Sequence, residues 1–191
     1  MRTLYLLRHG LTEANERRLY CGRTDISLSE AGAARARELR VNRPMPVCEL
    51  HATSGMIRAD ETLALLTDRK PGYVLPELKE MDFGRFEMLG YDDLKHDPDY
   101  LRWIEDKDGV VPCPGGESSR EFTDRVRRGG MKLLEMKWDS AVVVCHGGTV
   151  VRLMDHWFPN EKRNFYEWQP AACGGWKIEF NNQTPVGFNK I

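Results

Sequence analysis

Two short apolar runs in this chain close on the same dipeptide. Leu4-Tyr5-Leu6-Leu7 leads into Arg8-His9-Gly10, and the run from Ala141 to Cys145 leads into His146-Gly147-Gly148. One histidine at a strand end is usually structural. Two such ends, one with an arginine directly before the histidine, are a chemical signal. An imidazole has an ordinary pKa of about 6.5, so near neutrality it offers a free base and a nucleophile. An adjacent guanidinium disfavours a second positive charge and matches phosphate geometry with its planar fork. The glycines permit a sharp turn and close backbone approach. A helix after each turn would aim unpaired N–H groups at the same space, which suits an anion. In open α/β sheets, ligands bind beyond the carboxyl ends of the strands. These residue types point to a bound anion.

The elements that must place them follow from pattern. Leu4–Leu7 and Ala141–Cys145 read as buried strands. Ser27-Leu28-Ser29-Glu30 has the capping-box spacing and predicts a helix to about Arg40, with Pro44 and Pro46 barring continuation. Pro46 to Ala52 contains another strand. Thr53 or Ser54 is positioned to cap a helix from about Met56 to Thr67, with Ile57, Leu63, Ala64 and Leu66 as core contacts. Tyr73 to Leu78 is a predicted strand, followed by a loop through Phe83 and Gly84. Tyr91 to about Asp106 is helix-like, interrupted near Pro98, and Pro112 to Gly116 is a rigid loop. Glu117 to Lys137 carries Phe122, Val126, Leu133 and Leu134 at helical spacing. Gly129-Gly130 inside it costs about 1 kcal/mol per glycine against alanine, which predicts a bend or a close packing contact. Thr149 to Phe158 is a helix stopped by Pro159. Trp176–Phe180 and Pro185–Asn189 form a strand pair around Asn181-Asn182. Strands alternating with helices imply an α/β fold. The expected architecture is a single-domain three-layer sandwich, residues 1–191, with a mainly parallel sheet flanked by helices.

Composition narrows the partners. The chain has 191 residues, which fits one domain burying roughly 70% of its unfolded surface. A net charge of -1 gives no field for gathering nucleic acid or an anionic membrane. The first apolar run is too short for a signal peptide or a membrane span, so a cytoplasmic location is expected. Five cysteines, Cys21, Cys48, Cys113, Cys145 and Cys173, are odd in number and lack a C-x-x-C pair, so reduced thiols are expected. Cys145 reads as core filler. No H-x-H or H-E-x-x-H spacing supports a metal site, and arginines beside the histidines would repel a cation. No cofactor is expected.

At this point a family is recognisable. Leu7-Arg8-His9-Gly10-Leu11-Thr12-Glu13-Ala14-Asn15 resembles the R-H-G-x-T-x-x-N signature of histidine phosphatases and phosphoglycerate mutases. Further blocks match in order: Gly22-Arg23-Thr24-Asp25 with Leu28-Ser29 and Gly32; Ser54, Arg58-Ala59 and Thr62; Glu80 with Phe83-Gly84 and Glu87; Gly115 to Ser118; and His146-Gly147-Gly148. The ordered series spans nearly the whole chain and is far more specific than any one triplet.

The resemblance implies a metal-independent phosphatase with a phosphohistidine on His9. Arg8 and Arg58 would grip the phosphoryl oxygens. His146 would donate to the transferring group, with Asn15, Gly22 and Gly147 as further phosphate contacts. Glu80 would be the general acid, held protonated by burial, and Glu87 is the rival carboxyl beside a turn. Taken singly, these arginines would be ion-pair partners and Glu80 a solvated loop acid. His51, His96 and His156 match no block and read as structural or exposed. The stretch Pro76 to Met81, Phe86-Glu87-Met88 and Cys173 to Trp176 resemble the α-ribazole phosphatase branch, which acts in cobalamin assembly. Leu11 departs from the polar residue of many relatives, and Met88 from their glycine. The expected substrate is therefore a small phosphate ester, α-ribazole 5′-phosphate. The alternatives are a broad small-molecule phosphatase, a phosphoglycerate mutase, or a non-catalytic phosphate-binding module. The mutase's paired arginines and proline run are missing from Gly90 to Pro114. Tyr20, Phe83, Phe86, Met88, Tyr91, Tyr100 and Trp103 are expected to flank the mouth as an aromatic wall suited to a nucleoside-like base. Self-association into a homodimer stays open.

Overall fold

The computed structural model describes residues 1–191. Six strands are β1 (Arg2–Arg8), β2 (Leu50–Thr53), β3 (Tyr73–Val74), β4 (Ser140–Cys145), β5 (Gly175–Asn181) and β6 (Thr184–Lys190). They form one sheet in the order β3-β2-β4-β1-β5-β6. β1 to β4 run parallel, and β5 and β6 add an antiparallel hairpin against β1. The helices are α1 (Glu13–Glu16), α2 (Glu30–Asn42), α3 (Ile57–Thr67), α4 (Tyr91–Leu94), α5 (Pro98–Ile104), α6 (Ser119–Glu135), α7 (Gly147–Trp157) and α8 (Phe165–Trp168). The mainly parallel α/β sandwich expected from the alternation is the observed fold.

Side chains alternate across the central strands and so feed two cores. Leu4, Leu6, Ala141, Val143 and Cys145 pack with Phe122, Val126 and Leu133 of α6 and Val150 and Leu153 of α7. Leu7, Val142 and Val144 pack the other way, with Ala36 of α2 and Ala59, Leu63 and Leu66 of α3. A fully buried leucine contributes roughly 1.5–3 kcal/mol relative to an exposed one. The sheet is thus clamped where the two histidine-bearing strands lie. All five cysteines are free thiols. No helix is long and apolar enough to cross a membrane.

Several local expectations change. The N-cap of α2 is Ser29, which accepts from the Gly32 N–H, two residues later than the Ser27 spacing implied. Helix α3 starts after Met56 with no side-chain cap, and Ile57 on its first turn is 43% exposed. The predicted strand from Tyr73 to Leu78 shrinks to two exposed residues, because Pro76 starts a short 3-10 turn and has no N–H for a ladder. Helix α6 runs unbroken through its glycines. A Cβ on Gly129 would sit 2.7 Å from Leu78, and one on Gly130 2.8 Å from Leu153. Close packing, not a bend, explains the pair.

Candidate active site

Register brings the two His-Gly turns together. β1 and β4 are neighbours, with Arg8 paired to Cys145. The His9 N–H donates to the Cys145 carbonyl at 2.9 Å. The next residue of each strand therefore leaves the sheet at the same level. The rings of His9 and His146 stand 5.1 Å apart, centroid to centroid, at 64°. Both are buried.

The His9 ring is oriented by its own turn. Its Nδ1 lies 2.6 Å from the Gly10 carbonyl oxygen. A carbonyl only accepts, so Nδ1 carries the proton and Nε2 keeps its lone pair. Burial, then the charge of Arg58, pushes the His9 pKa down to about 3, with Arg8 adding and the Gly10 bond opposing. The ring is neutral throughout the physiological range. The Gly10 N–H is tied to Thr62 Oγ1, and the Thr62 hydroxyl to the Arg58 carbonyl. One chain of bonds therefore links the turn to α3.

Burial and the same arginine hold His146 well below the usual histidine range. Its Nε2 is 2.8 Å from Ser54 Oγ, while its Nδ1 is buried with no partner. Thr53 or Ser54 was expected as a helix cap, and Ser54 does not serve as one. It sits instead behind the second histidine.

The arginines are aimed by main chain. Arg58 Nη1 donates to the Thr24 carbonyl and Nη2 to the Gly22 carbonyl, at 2.9 and 2.7 Å. Arg8 Nη1 donates to the Pro170 carbonyl at 3.1 Å. Neutral carbonyls orient a guanidinium without cancelling its charge. The Nε of each remains buried and unpartnered.

Gly22 corrects the sequence reading. Its N–H does not point at a phosphate; it donates to the Glu87 carboxylate at 3.1 Å. Glu87 also accepts from the N–H groups of Arg23, Thr24 and Phe83 and from the Thr24 hydroxyl. Its oxygens are fully engaged, so Glu87 is the anchor of the loop whose carbonyls hold Arg58. A Cβ on Gly22 would come within 1.6 Å of the Met81 carbonyl oxygen. Asn15 caps α1 by accepting the Thr12 N–H on Oδ1, a motif that does not consume its Nδ2 donors. Gly147 lies in the first turn of α7, where an N–H has no intrahelical partner.

Glu80 stands across the site. Its Oε2 accepts the Gly148 N–H at 2.8 Å and its Oε1 the Met81 N–H at 3.0 Å. Burial raises its pKa, against the pull of those two N–H bonds and of Arg58 and Arg8. Arg125 braces this loop from behind. It donates to the carbonyls of Glu77, Lys79 and Glu80 and pairs with Glu117. Nothing in the sequence singled out Arg125.

Beside Glu80 lies a cavity of about 260 Å³, walled by Tyr20, Met81, Phe83, Trp103, Phe122 and Phe165, with the polar side chains of Arg152 and Gln169 also lining it. Of the seven residues expected in an aromatic wall, Tyr20, Phe83 and Trp103 line it. Phe86 and Tyr100 are core residues behind them. Met88 and Tyr91 do not line it, and Tyr91 points to solvent.

Adjacent strand-end histidines, two carbonyl-held arginines and a parallel sheet together define an α/β phosphoryl-binding site. The family model of the histidine phosphatase superfamily, branch 1, matches residues 4–187, and the chain belongs to that superfamily. The adenosylcobalamin/alpha-ribazole phosphatase of Salmonella typhimurium is 37% identical over 129 residues, 65% of this chain and 63% of that protein. The Escherichia coli protein of the same name is 34% identical, over 79% of this chain and 76% of its own length. The solved alpha-ribazole phosphatase of Shigella flexneri superposes with a TM-score of 0.85 at 28% identity, covering 96% of this chain and 93% of that one.

Proposed function

We propose that this protein is a phosphomonoester hydrolase that works through a phosphohistidine on His9, and that its ester is α-ribazole 5′-phosphate. The observation that carries the reading is the Nδ1 bond of His9 to Gly10, which frees Nε2 beside two arginines. Nε2 attacks phosphorus while the bond to the ester oxygen breaks. Arg8, Arg58 and His146 stabilise the charge on the equatorial oxygens, which is most of what phosphoryl transfer needs. In this reading the Ser54 hydroxyl donates to His146 Nε2, so the imidazole proton sits on Nδ1 and serves as the donor. Glu80 gives its proton to the leaving alkoxide. Water then attacks the phosphohistidine, Glu80 takes back a proton, and phosphate leaves as the P–N bond breaks.

The names of the relatives support the substrate, and so does the cavity. An aromatic wall beside the acid suits a nucleoside-like leaving group better than a small, doubly charged phosphoglycerate. The enzyme is read as cytoplasmic, with no nucleic-acid partner, and a homodimer is a question for sedimentation. Two measurements test the reading. Brief exposure to a labelled ester should leave acid-labile, base-stable label on His9; label on serine or aspartate rejects the mechanism. Comparison of kcat/KM for α-ribazole 5′-phosphate, 3-phosphoglycerate, ribose 5-phosphate and AMP should favour the first at least about tenfold, or about 1.4 kcal/mol. Without that margin the assignment retreats to a broader phosphatase.

A further inference from the structure

Five buried side-chain nitrogens have no hydrogen-bond partner: Arg8 Nε, Arg58 Nε, His146 Nδ1, Trp103 Nε1 and Arg152 Nε. Leaving a buried donor unpaired costs roughly 1–3 kcal/mol. Such groups are scattered when they are packing accidents. Here the first three belong to the phosphate centre, and the other two come from residues lining the cavity beside Glu80. Trp103 is locked edge-on against Tyr20 and Phe83, with centroids 5.7 and 6.0 Å apart, so its N–H cannot easily swing to another partner. Arg152, on α7 one and a half turns from Gly147, also lines a polar basin with Lys107, Arg120 and Asp124. Its guanidinium marks the border between an apolar wall and a hydrophilic one.

We propose that Arg152 and Trp103 determine specificity by reading acceptor atoms on the leaving group. The favoured ester has an alcohol that carries a planar heteroaromatic ring, its face on the aromatic wall and a ring nitrogen or carbonyl toward these donors. A ring without acceptors would fill the cavity and leave both donors unpaired. A site built for hydrogen bonds rejects analogues that lack them more sharply than an apolar site rejects a missing methylene. The inference deepens the proposed function and rests on it for the phosphoryl centre.

The test compares α-ribazole 5′-phosphate and AMP, which both bear ring nitrogens, with benzyl phosphate, which has a ring and no acceptor. Arg152→Met keeps a long apolar stem and removes the guanidinium. Trp103→Phe keeps a ring and removes the N–H. In Arg152→Met, the ratio of kcat/KM for the better heteroaromatic ester to that for benzyl phosphate should fall about tenfold or more, mainly through KM, the range for a hydrogen bond to a charged group. In Trp103→Phe it should fall about threefold or more. Retained benzyl phosphate turnover shows that each variant is folded. If one variant does not fold, the other decides. Ratios that stay at the wild-type value, or equal losses on all three esters, overturn the proposal. The proposed substrate fails separately, if wild type prefers AMP, and the ratio measured on AMP then still tests the two donors.

Discussion

The phosphate centre and the cavity beside Glu80 share a boundary and are built on opposite plans. In the first, backbone does the positioning. Gly10 orients His9, Gly22 and Thr24 orient Arg58, and Pro170 orients Arg8. In the second, the wall is made of side chains from six separate stretches, from Tyr20 to Phe165. The charge distribution on a transferring phosphoryl group is the same whatever alcohol leaves, so a backbone-fixed cradle can serve every ester. The leaving group varies, and a wall of side chains can be altered without touching the sheet. Changes at the centre should therefore cost rate on all esters, and changes in the cavity should redistribute preference among them.

The largest effect expected is at the nucleophile. His9→Ala should lower phosphate release by about four orders of magnitude or more on every ester, as loss of a covalent nucleophile does elsewhere. Its circular dichroism should match wild type. A substantial residual rate that depends on the ester would erase the contrast between the two regions.

Glu80 lies on the boundary and should show a mixed response. Glu80→Gln should cost alkyl esters about a hundred- to ten-thousand-fold, the usual yield of general acid catalysis. Activated aryl esters, whose leaving groups depart without a proton, should lose far less. Burial raises the Glu80 pKa, so the proton persists above the ordinary carboxylate range. Wild-type kcat on an alkyl ester should fall as pH rises through that raised value, and the variant should lack this limb. Protonation of His9, near pH 3, lies below it and does not limit the rate at mildly acid pH. Equal losses on both ester types would remove Glu80 from the acid role.

A smaller effect at the centre is expected from Ser54. Ser54→Ala should lower kcat about tenfold on all esters alike, the worth of one buried hydrogen bond, with KM little changed. The imidazole nitrogen resonances of His146 should shift toward the other tautomer, and Ser54→Thr should restore both. An unmoved tautomer would reduce Ser54 to a packing residue.

The smallest effect sharpens the comparison from the cavity side. Phe165 is 39% exposed at the rim. Phe165→Ala should raise KM for ring-bearing esters about threefold, a loss of roughly 0.7 kcal/mol of apolar contact, and leave ring-free esters unaffected. A uniform loss would place Phe165 with the scaffold.

The same contrast explains what could be read before the structure. His9, Arg8 and His146 declare themselves because two apolar strands end on them, Arg58 and Glu80 were legible only through the ordered family blocks, and the structure brings all five to one site. Ser54 was visible as a possible cap and as a member of a matched block, but its task was not, since a serine just ahead of a helix carries no hint that a histidine following another strand stands beside it. Gly22 was misread because the partner that claims its N–H, Glu87, lies far along the chain. Arg125 and Arg152 were silent: Arg125 is one of four arginines on its helix, Arg152 is the only one on its own helix and matches no block, and only tertiary placement gives each a task. The wall was half legible, since ring-rich segments could be found but not the side on which each ring falls. β3 was overdrawn because strand-like apolar residues outvoted Pro76.

The strand order also sets a schedule for synthesis. β1 carries the nucleophile, yet its neighbours are β4 and β5, and its pairing starts at Ser140. At about 5–20 residues per second, the ribosome needs roughly 7 to 30 seconds to make what separates them. During that interval Leu4, Leu6 and Leu7 have no sheet to join and are exposed to chaperones and to one another. A nascent chain halted before Ser140 would contain His9, Arg8, Arg58 and Glu80 and still have no active centre, because the strand that sets them side by side has not been made.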